Sequence, residues 1–355
     1  HLLVGADAAA VGAATAVTVT DASADAADLN TLDGITTVAV DATAVTTLTG
    51  TAADIATAIS AATIDTAADV AVTVTGDATV AQLNTIDANT TGVITATVTE
   101  TDAATLATLT GTGNAYTITV TGAATALDLI AIDAATTVAV DASAVTTITG
   151  LEADILSAVQ GDITVSASMN ITLTDPSVAV ADLNFIDSNT TGIITATVSE
   201  GDVTTLLTLT DINSNNAYTI TVTDASANAA DLNTLDGLTT VTVVATAVTT
   251  LTGTAADIAM AISAATINTA ANVAVTVTGD ATVAQLNTID ANTTGVITAT
   301  VSDGIASLAT LTGTGNAYTV TVTDAASVAQ LNALDAKTTG VITATVSDGI
   351  ASLAT

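Results

Sequence analysis

The 355-residue chain has no cysteine, no tryptophan, one proline, one histidine and a single basic side chain, Lys337. Without cysteine it forms no disulfide, no thiolate metal centre and no thiol nucleophile. Its 35 acidic side chains give a formal net charge of −34. That balance leaves no cationic footprint for phosphates, which excludes nucleic-acid partners and polybasic attachment to an anionic membrane. Aromatic residues make up 1% of the chain, namely Tyr116, Tyr218, Tyr318 and Phe185. Stacking platforms and the usual aromatic-lined ligand pocket are therefore excluded. Thr, Asp and Asn interrupt every apolar run well before the length a membrane-spanning helix needs. His1 and Lys337 are solitary, so no catalytic constellation is expected and the chain is read as non-enzymatic. Paired carboxylates recur in every repeat, whereas an active site is normally one exception to its scaffold.

What is present points to order. Hydrophobic residues make up 49% of the chain, and a mean hydropathy of +0.67 opposes the disorder that lopsided charge often signals. The core must be built from Ala, Val, Ile and Leu, in thin and regular layers. The chain opens at His1 without an initiator Met or a signal-peptide pattern, and it starts and stops inside a repeat. It is read as a window on a longer polypeptide.

The repeat sets the organisation. Asp28-Leu29-Asn30-Thr31-Leu32-Asp33 returns as Asp231-Leu232-Asn233-Thr234-Leu235-Asp236, and Val93-Ile94-Thr95-Ala96-Thr97-Val98 as Val296-Ile297-Thr298-Ala299-Thr300-Val301, both 203 residues on. A divergent copy of the second lies between them, at Ile193-Ile194-Thr195-Ala196-Thr197-Val198, and Pro176 and Phe185 in that region read as drift. With Tyr116, Tyr218 and Tyr318 on the same beat, the super-repeats run approximately over 17–116, 117–218, 219–318 and a partial 319–355.

Within each super-repeat, L-N-x-[LI]-D elements recur, as at Leu83-Asn84-Thr85-Ile86-Asp87, Leu183-Asn184-Phe185-Ile186-Asp187, Leu286-Asn287-Thr288-Ile289-Asp290 and Leu331-Asn332-Ala333-Leu334-Asp335. Between them run period-two segments. Ile94, Ala96 and Val98 alternate with Thr95, Thr97 and Thr99; Tyr116, Ile118 and Val120 alternate with Thr117, Thr119 and Thr121. These predict strands. Val80, Leu83 and Ile86 (and likewise Ile55 with Ile59, and Leu106 with Leu109) carry helical spacing. Asp21, Asp77, Asp102, Asp224 and Asp324 fall where N-caps are wanted.

A strand followed by a short helix recurs about fourteen times, and neither element can bury its apolar face alone. The expected fold is a repeat solenoid: one continuous right-handed α/β array over 1–355, with a parallel sheet on one face and short α or 3₁₀ segments on the other. At about 4.8 Å per coil, fourteen coils would span roughly 65 Å. With no polar capping sequence at either end, self-association is expected, end to end or lateral.

Three features carry candidate chemistry. Glu100 with Asp102, Glu200 with Asp202, and Asp303 beside Gly304 sit at strand-to-helix corners, where hard oxygen ligands would suit Ca²⁺. No EF-hand loop or glycine-rich calcium nonapeptide is present, and helix capping by the same acids is the alternative. Thr95, Thr97, Thr99, Thr117, Thr119 and Thr121 form Thr-x-Thr ranks that resemble the ice-binding face of β-solenoid antifreeze proteins. The alternative is that Thr is simply a soluble strand former. The Asn and Asp of L-N-x-[LI]-D are expected to satisfy local backbone groups, with a ladder between repeats as the other possibility.

The L-N-x-[LI]-D element resembles the leucine-rich repeat in coil architecture, although its strand begins later, at Thr36-Thr37-Val38. The Ala/Thr/Val/Asp-rich tandem units, cysteine-free and almost without Lys or Arg, resemble very large bacterial surface proteins: S-layer proteins and giant repetitive adhesins. That resemblance implies an extracellular or cell-surface location and calcium-supported assembly. The functional expectation is a structural module of such an assembly, with an ice- or glycan-binding surface as the alternative.

Overall fold

The computed structural model describes residue 12 and residues 14–349; His1 and the last six residues lie outside the described residues. The chain is an α/β protein whose strands lie mostly parallel in several sheets, with 13 helices and no closed barrel among the described residues. It divides into two compact units. One runs to Thr174 and includes Asn189–Gly192; the other comprises Asp175–Ser188 and the chain from Ile193 onwards.

The first unit carries helices Ala26–Ile35, Ala52–Ser60, Val80–Asp87, Ala103–Leu106, Ala126–Ala135 and Glu152–Gln160. Strands Ser23–Asp25, Thr47–Gly50, Ala71–Ala78, Ile94–Val98 and Ala115–Thr117 form one parallel ladder in that order. Val17–Thr18, Val40–Ala42 and Ile64–Thr66 form a second. In the second unit, Ser226–Asn228, Thr250–Gly253, Ala274–Ala281, Ile297–Asp303, Ala317–Ala326 and Ile342–Val346 make a six-stranded ladder. Its helices are Val180–Asp187, Val203–Leu206, Ala229–Asp236, Ala255–Ser263, Val283–Asp290, Ile305–Leu308 and Val328–Asp335.

The periodicity of the sequence appears directly in burial. Ile94, Ala96 and Val98 are buried and Thr95, Thr97 and Thr99 exposed, as alternation on a pleat requires. Val80, Leu83 and Ile86 form the buried stripe of their helix. Leu106 is buried at the end of a four-residue helix, but Leu109 lies beyond it and is half-buried.

One expectation needs correction, because the strands do not form a single sheet. Where the sequence reads Val38-Ala39-Val40-Asp41, the Asp41 carboxylate accepts from the N–H and hydroxyl of Thr43, at 3.1 and 2.6 Å. The run divides here into Val40–Ala42 and Thr47–Gly50, which pair in separate ladders. Asp141 makes the same two bonds to Ser143, yet there the strand Val140–Gly150 continues, with irregular register against Thr119–Thr125. The same Thr43 bonds hold the Asp41 carboxyl below its usual range.

Tyr116, Tyr218 and Tyr318 are fully buried, and burial raises each phenol well above its ordinary value. Their hydroxyls differ. Tyr218 Oη accepts from Asn216 Nδ2 at 3.0 Å, whereas Tyr116 Oη has no partner among the described residues. Removing an unsatisfied buried hydroxyl relieves its desolvation cost, and removing a satisfied one loses a bond. Tyr116→Phe is expected to be neutral or to stabilise by up to about 1 kcal/mol, and Tyr218→Phe to destabilise by about 1 kcal/mol. Chemical denaturation of the two variants checks this; equal effects would refute the assignment.

Candidate functional site

The acidic corner residues are engaged with helix N-termini, whose first-turn N–H groups lack intrahelical acceptors and carry the positive end of the helix dipole. Asp102 and Asp202 cap their own helices, accepting from Thr105 N at 2.9 Å and Thr205 N at 2.8 Å. The hydroxyl and N–H of Thr105 lower the Asp102 carboxyl; for Asp202, the Thr205 N–H and then its hydroxyl do the same. Asp303 accepts from Ser307 Oγ at 2.6 Å and Gly304 N at 2.7 Å, bonds that hold it below the usual carboxylate range.

Glu100 and Glu200 act backward. Glu100 Oε2 accepts from Val80 N and Glu200 Oε2 from Val180 N, both at 3.0 Å and both 20 residues earlier in the chain. Asp224, Asp324 and Asp348 do the same for Val203, Ile305 and Val328, at 2.7 to 2.8 Å. In these five helices the first N–H is thus satisfied by an acid 19 to 21 residues further along the chain. Glu100 and Asp102, close in sequence, serve two different helices. Among the described residues no group of three or more His, Cys, Asp or Glu is gathered in metal-binding geometry.

Of the five aspartates expected as N-caps, only Asp102 caps the helix that follows it. The caps elsewhere are Asp25, Thr79, Asn228 and Ser327 in place of Asp21, Asp77, Asp224 and Asp324. Asp77 and Asp324 lie inside strands, and a short strand follows each of Asp21 and Asp224, so every one of these helices starts later than expected. Thr79 and Ser327 complete capping boxes with Gln82 and Gln330.

The L-N-x-[LI]-D element also reaches between repeats, not locally. Asn84 Nδ2 donates to Thr108 O at 2.8 Å, 24 residues away, and Asn84 Oδ1 accepts from Thr110 N at 2.8 Å. Asn184 and Asn287 repeat both bonds, to Thr208 and Thr210 and to Thr310 and Thr312. Asp87, Asp187 and Asp290 accept from the same threonine hydroxyls and from the side-chain amides of Asn114, Asn216 and Asn316, at 2.9 to 3.1 Å.

Those three asparagines were not singled out from sequence, yet they close the arrangement. Each is at most 4% exposed, and each Oδ1 accepts the strand N–H of Ile94, Ile194 or Ile297 at 2.8 to 2.9 Å. The recurring Asn-Ala-Tyr at 114–116, 216–218 and 316–318 was the available signal. A buried threonine adds a further tie: Thr90, Thr190 and Thr293 donate to Val70 O, Met169 O and Val273 O at 2.6 to 2.7 Å.

The threonine ranks are only partly continuous. Thr97 lies beside Thr117, but Thr95 lies beside Ala115, Thr119 beside Asp141 and Thr121 beside Ala144. Thr95, Thr97, Thr99, Thr117 and Thr119 are exposed and Thr121 is half-buried, donating to Thr101 Oγ1 at 3.1 Å.

No protein-family model, curated protein or solved structure matches the chain. Among the described residues no helix is long and apolar enough to cross a membrane.

Proposed function

We propose that the chain is a non-enzymatic structural repeat module, an α/β solenoid with right-handed coils, belonging to a bacterial extracellular or cell-surface assembly. One observation carries this reading: the recurring polar side chains bind the neighbouring repeat. Asn84, Asp87, Glu100 and their counterparts satisfy backbone and side-chain groups 19 to 29 residues away. Chemistry invested in joining one repeat to the next serves length and rigidity. The acids left facing solvent keep such an array soluble and oppose random lateral contact.

Electron microscopy and sedimentation of the purified chain at rising concentration test the proposal. Rods about 65 Å long, lengthening by end-to-end association, are expected. Compact monomers at the highest concentration would overturn the assembly role. Melting the same samples with and without EDTA separates the two uses of the acids: a fall in melting temperature assigns part of the stability to calcium, and an unchanged one leaves capping alone.

A further inference from the structure

Seven times a repeat helix ends in Asp-x-z-Thr-Thr, where z is Ile35, Asn89, Ala135, Asn189, Leu238, Asn292 or Lys337. The threonine pair answers to the fold. Its first member is tied to a carbonyl 20 or 21 residues back whatever stands at z. Thr36 donates to Thr15 O, Thr136 to Tyr116 O, Thr239 to Tyr218 O and Thr338 to Tyr318 O, as Thr90, Thr190 and Thr293 do to their own partners. The residue at z is what varies. At Asn89, Asn189 and Asn292 it completes Asn-Thr-Thr, which has the Asn-x-Thr form of an acceptor for N-linked sugars.

All three copies are placed alike. The asparagine is exposed in the turn just past helix Val80–Asp87, Val180–Asp187 or Val283–Asp290; the next threonine is buried and the one after it exposed. Where z is apolar the position turns inward instead: Ala135 is buried, and Ile35 and Leu238 are half-buried. Asn89 Nδ2 donates to Thr85 O and Asn292 Nδ2 to Thr288 O, both at 2.8 Å. An amide nitrogen carries two hydrogens, so a sugar can replace one while the other keeps this bond. Asn170-Ile171-Thr172 has the same form but another setting. Asn170 is half-buried in a strand paired residue by residue with Thr147–Gly150, and no turn presents it.

We propose that Asn89, Asn189 and Asn292 are acceptor sites for an N-linked oligosaccharide carried on a lipid pyrophosphate. The proposal rests on the extracellular reading above, because such sugars belong to surface loops of exported chains. In the transfer, Nδ2 bonds to the anomeric carbon of the sugar and gives one proton to a base of the transferase. The bond from that carbon to the pyrophosphate breaks, and the lipid pyrophosphate leaves with the electron pair. The product places a bulky, solubilising group at the same corner of three repeats.

The test secretes the full chain from a eukaryotic host whose oligosaccharyltransferase reads Asn-x-Thr without regard to the residues before it. The soluble, folded fraction is then mapped by intact mass and glycopeptide spectrometry. Up to three sugar chains are expected, on Asn89, Asn189 and Asn292, with Asn170 bare. Asn89→Gln, Asn189→Gln and Asn292→Gln should each remove one chain. Lys337→Asn should add a fourth, because it restores the acceptor at the equivalent turn. An unmodified chain beside a modified control protein from the same cells, or sugar on Asn170 at the occupancy of the other three, would overturn the sites. Rods from an unmodified chain would leave the module reading standing and remove this one; compact monomers bearing three sugars would do the reverse.

Discussion

Asn216→Ala is expected to destabilise the second unit by about 3–5 kcal/mol. The side chain is 0% exposed. Its amide donates to Asp187 Oδ1 at 2.9 Å, Asp211 Oδ1 at 3.1 Å and Tyr218 Oη at 3.0 Å, and its carbonyl accepts from Ile194 N at 2.8 Å. Truncation leaves Ile194 N–H unpaired in a strand and strips an amide donor from Asp187, a carboxylate only 2% exposed. Among the described residues the donors to Asp187 are neutral; its other oxygen accepts from Thr210 Oγ1 and Ile212 N, at 3.1 and 3.2 Å. A buried charge held only by neutral donors is costly to deprive of one. The control is Asn292→Ala, an exposed asparagine whose amide bonds locally to Thr288 O at 2.8 Å, expected to cost under about 1 kcal/mol. Urea denaturation of both variants decides; a loss under about 1 kcal/mol at Asn216 would mean the network does not hold the repeats together.

That contrast marks the limit of what the sequence made legible. Period-two and helical spacing identified the strands around Ile94 and Tyr116 and the helix around Leu83, because those signals depend on neighbours within a few residues. The bonds of Asn84 and Glu100 span 20 to 26 residues, and residue type alone cannot say whether a side chain turns back to its own turn or crosses to the next repeat. The N-caps failed for a related reason. Asp77 and Thr79 are both good caps by type, and only the length of strand Ala71–Ala78 decides between them. The candidate calcium acids show the same ambiguity: Glu100 and Asp102 look like a pair in sequence, yet they face two different helix ends. The beat of the repeat was nevertheless informative. Asn-Ala-Tyr and L-N-x-[LI]-D recur in step, and the structure joins them.

A second substitution tests how closely the repeats approach. Gly295→Ala is expected to cost about 3 kcal/mol or more, beyond the usual penalty of an overpacked core. A Cβ at this position would lie 2.2 Å from Val273 O and 2.6 Å from Asn272 O. Both obstacles are backbone, and neither can yield. Strand Ala274–Ala281 is fixed between Thr250–Gly253 and Ile297–Asp303, and Thr293 Oγ1 donates to that same Val273 carbonyl while accepting from Gly295 N. Gly92, Gly192 and Gly340 stand in the same relation to Val70, Met169 and Tyr318, at 2.1 to 2.3 Å. Val138 and Val241 stand two residues after the corresponding threonine in other repeats, as Gly295 does after Thr293, so the glycine is demanded by local approach and not by the turn alone. Gly279→Ala separates the two causes. Gly279 has φ +77 with nothing within 4 Å of a Cβ, so alanine there should incur only the left-handed penalty of about 1–2 kcal/mol. A Gly295→Ala loss no larger than that at Gly279 would show that the close approach of Gly295 to the Val273 carbonyl can relax without cost.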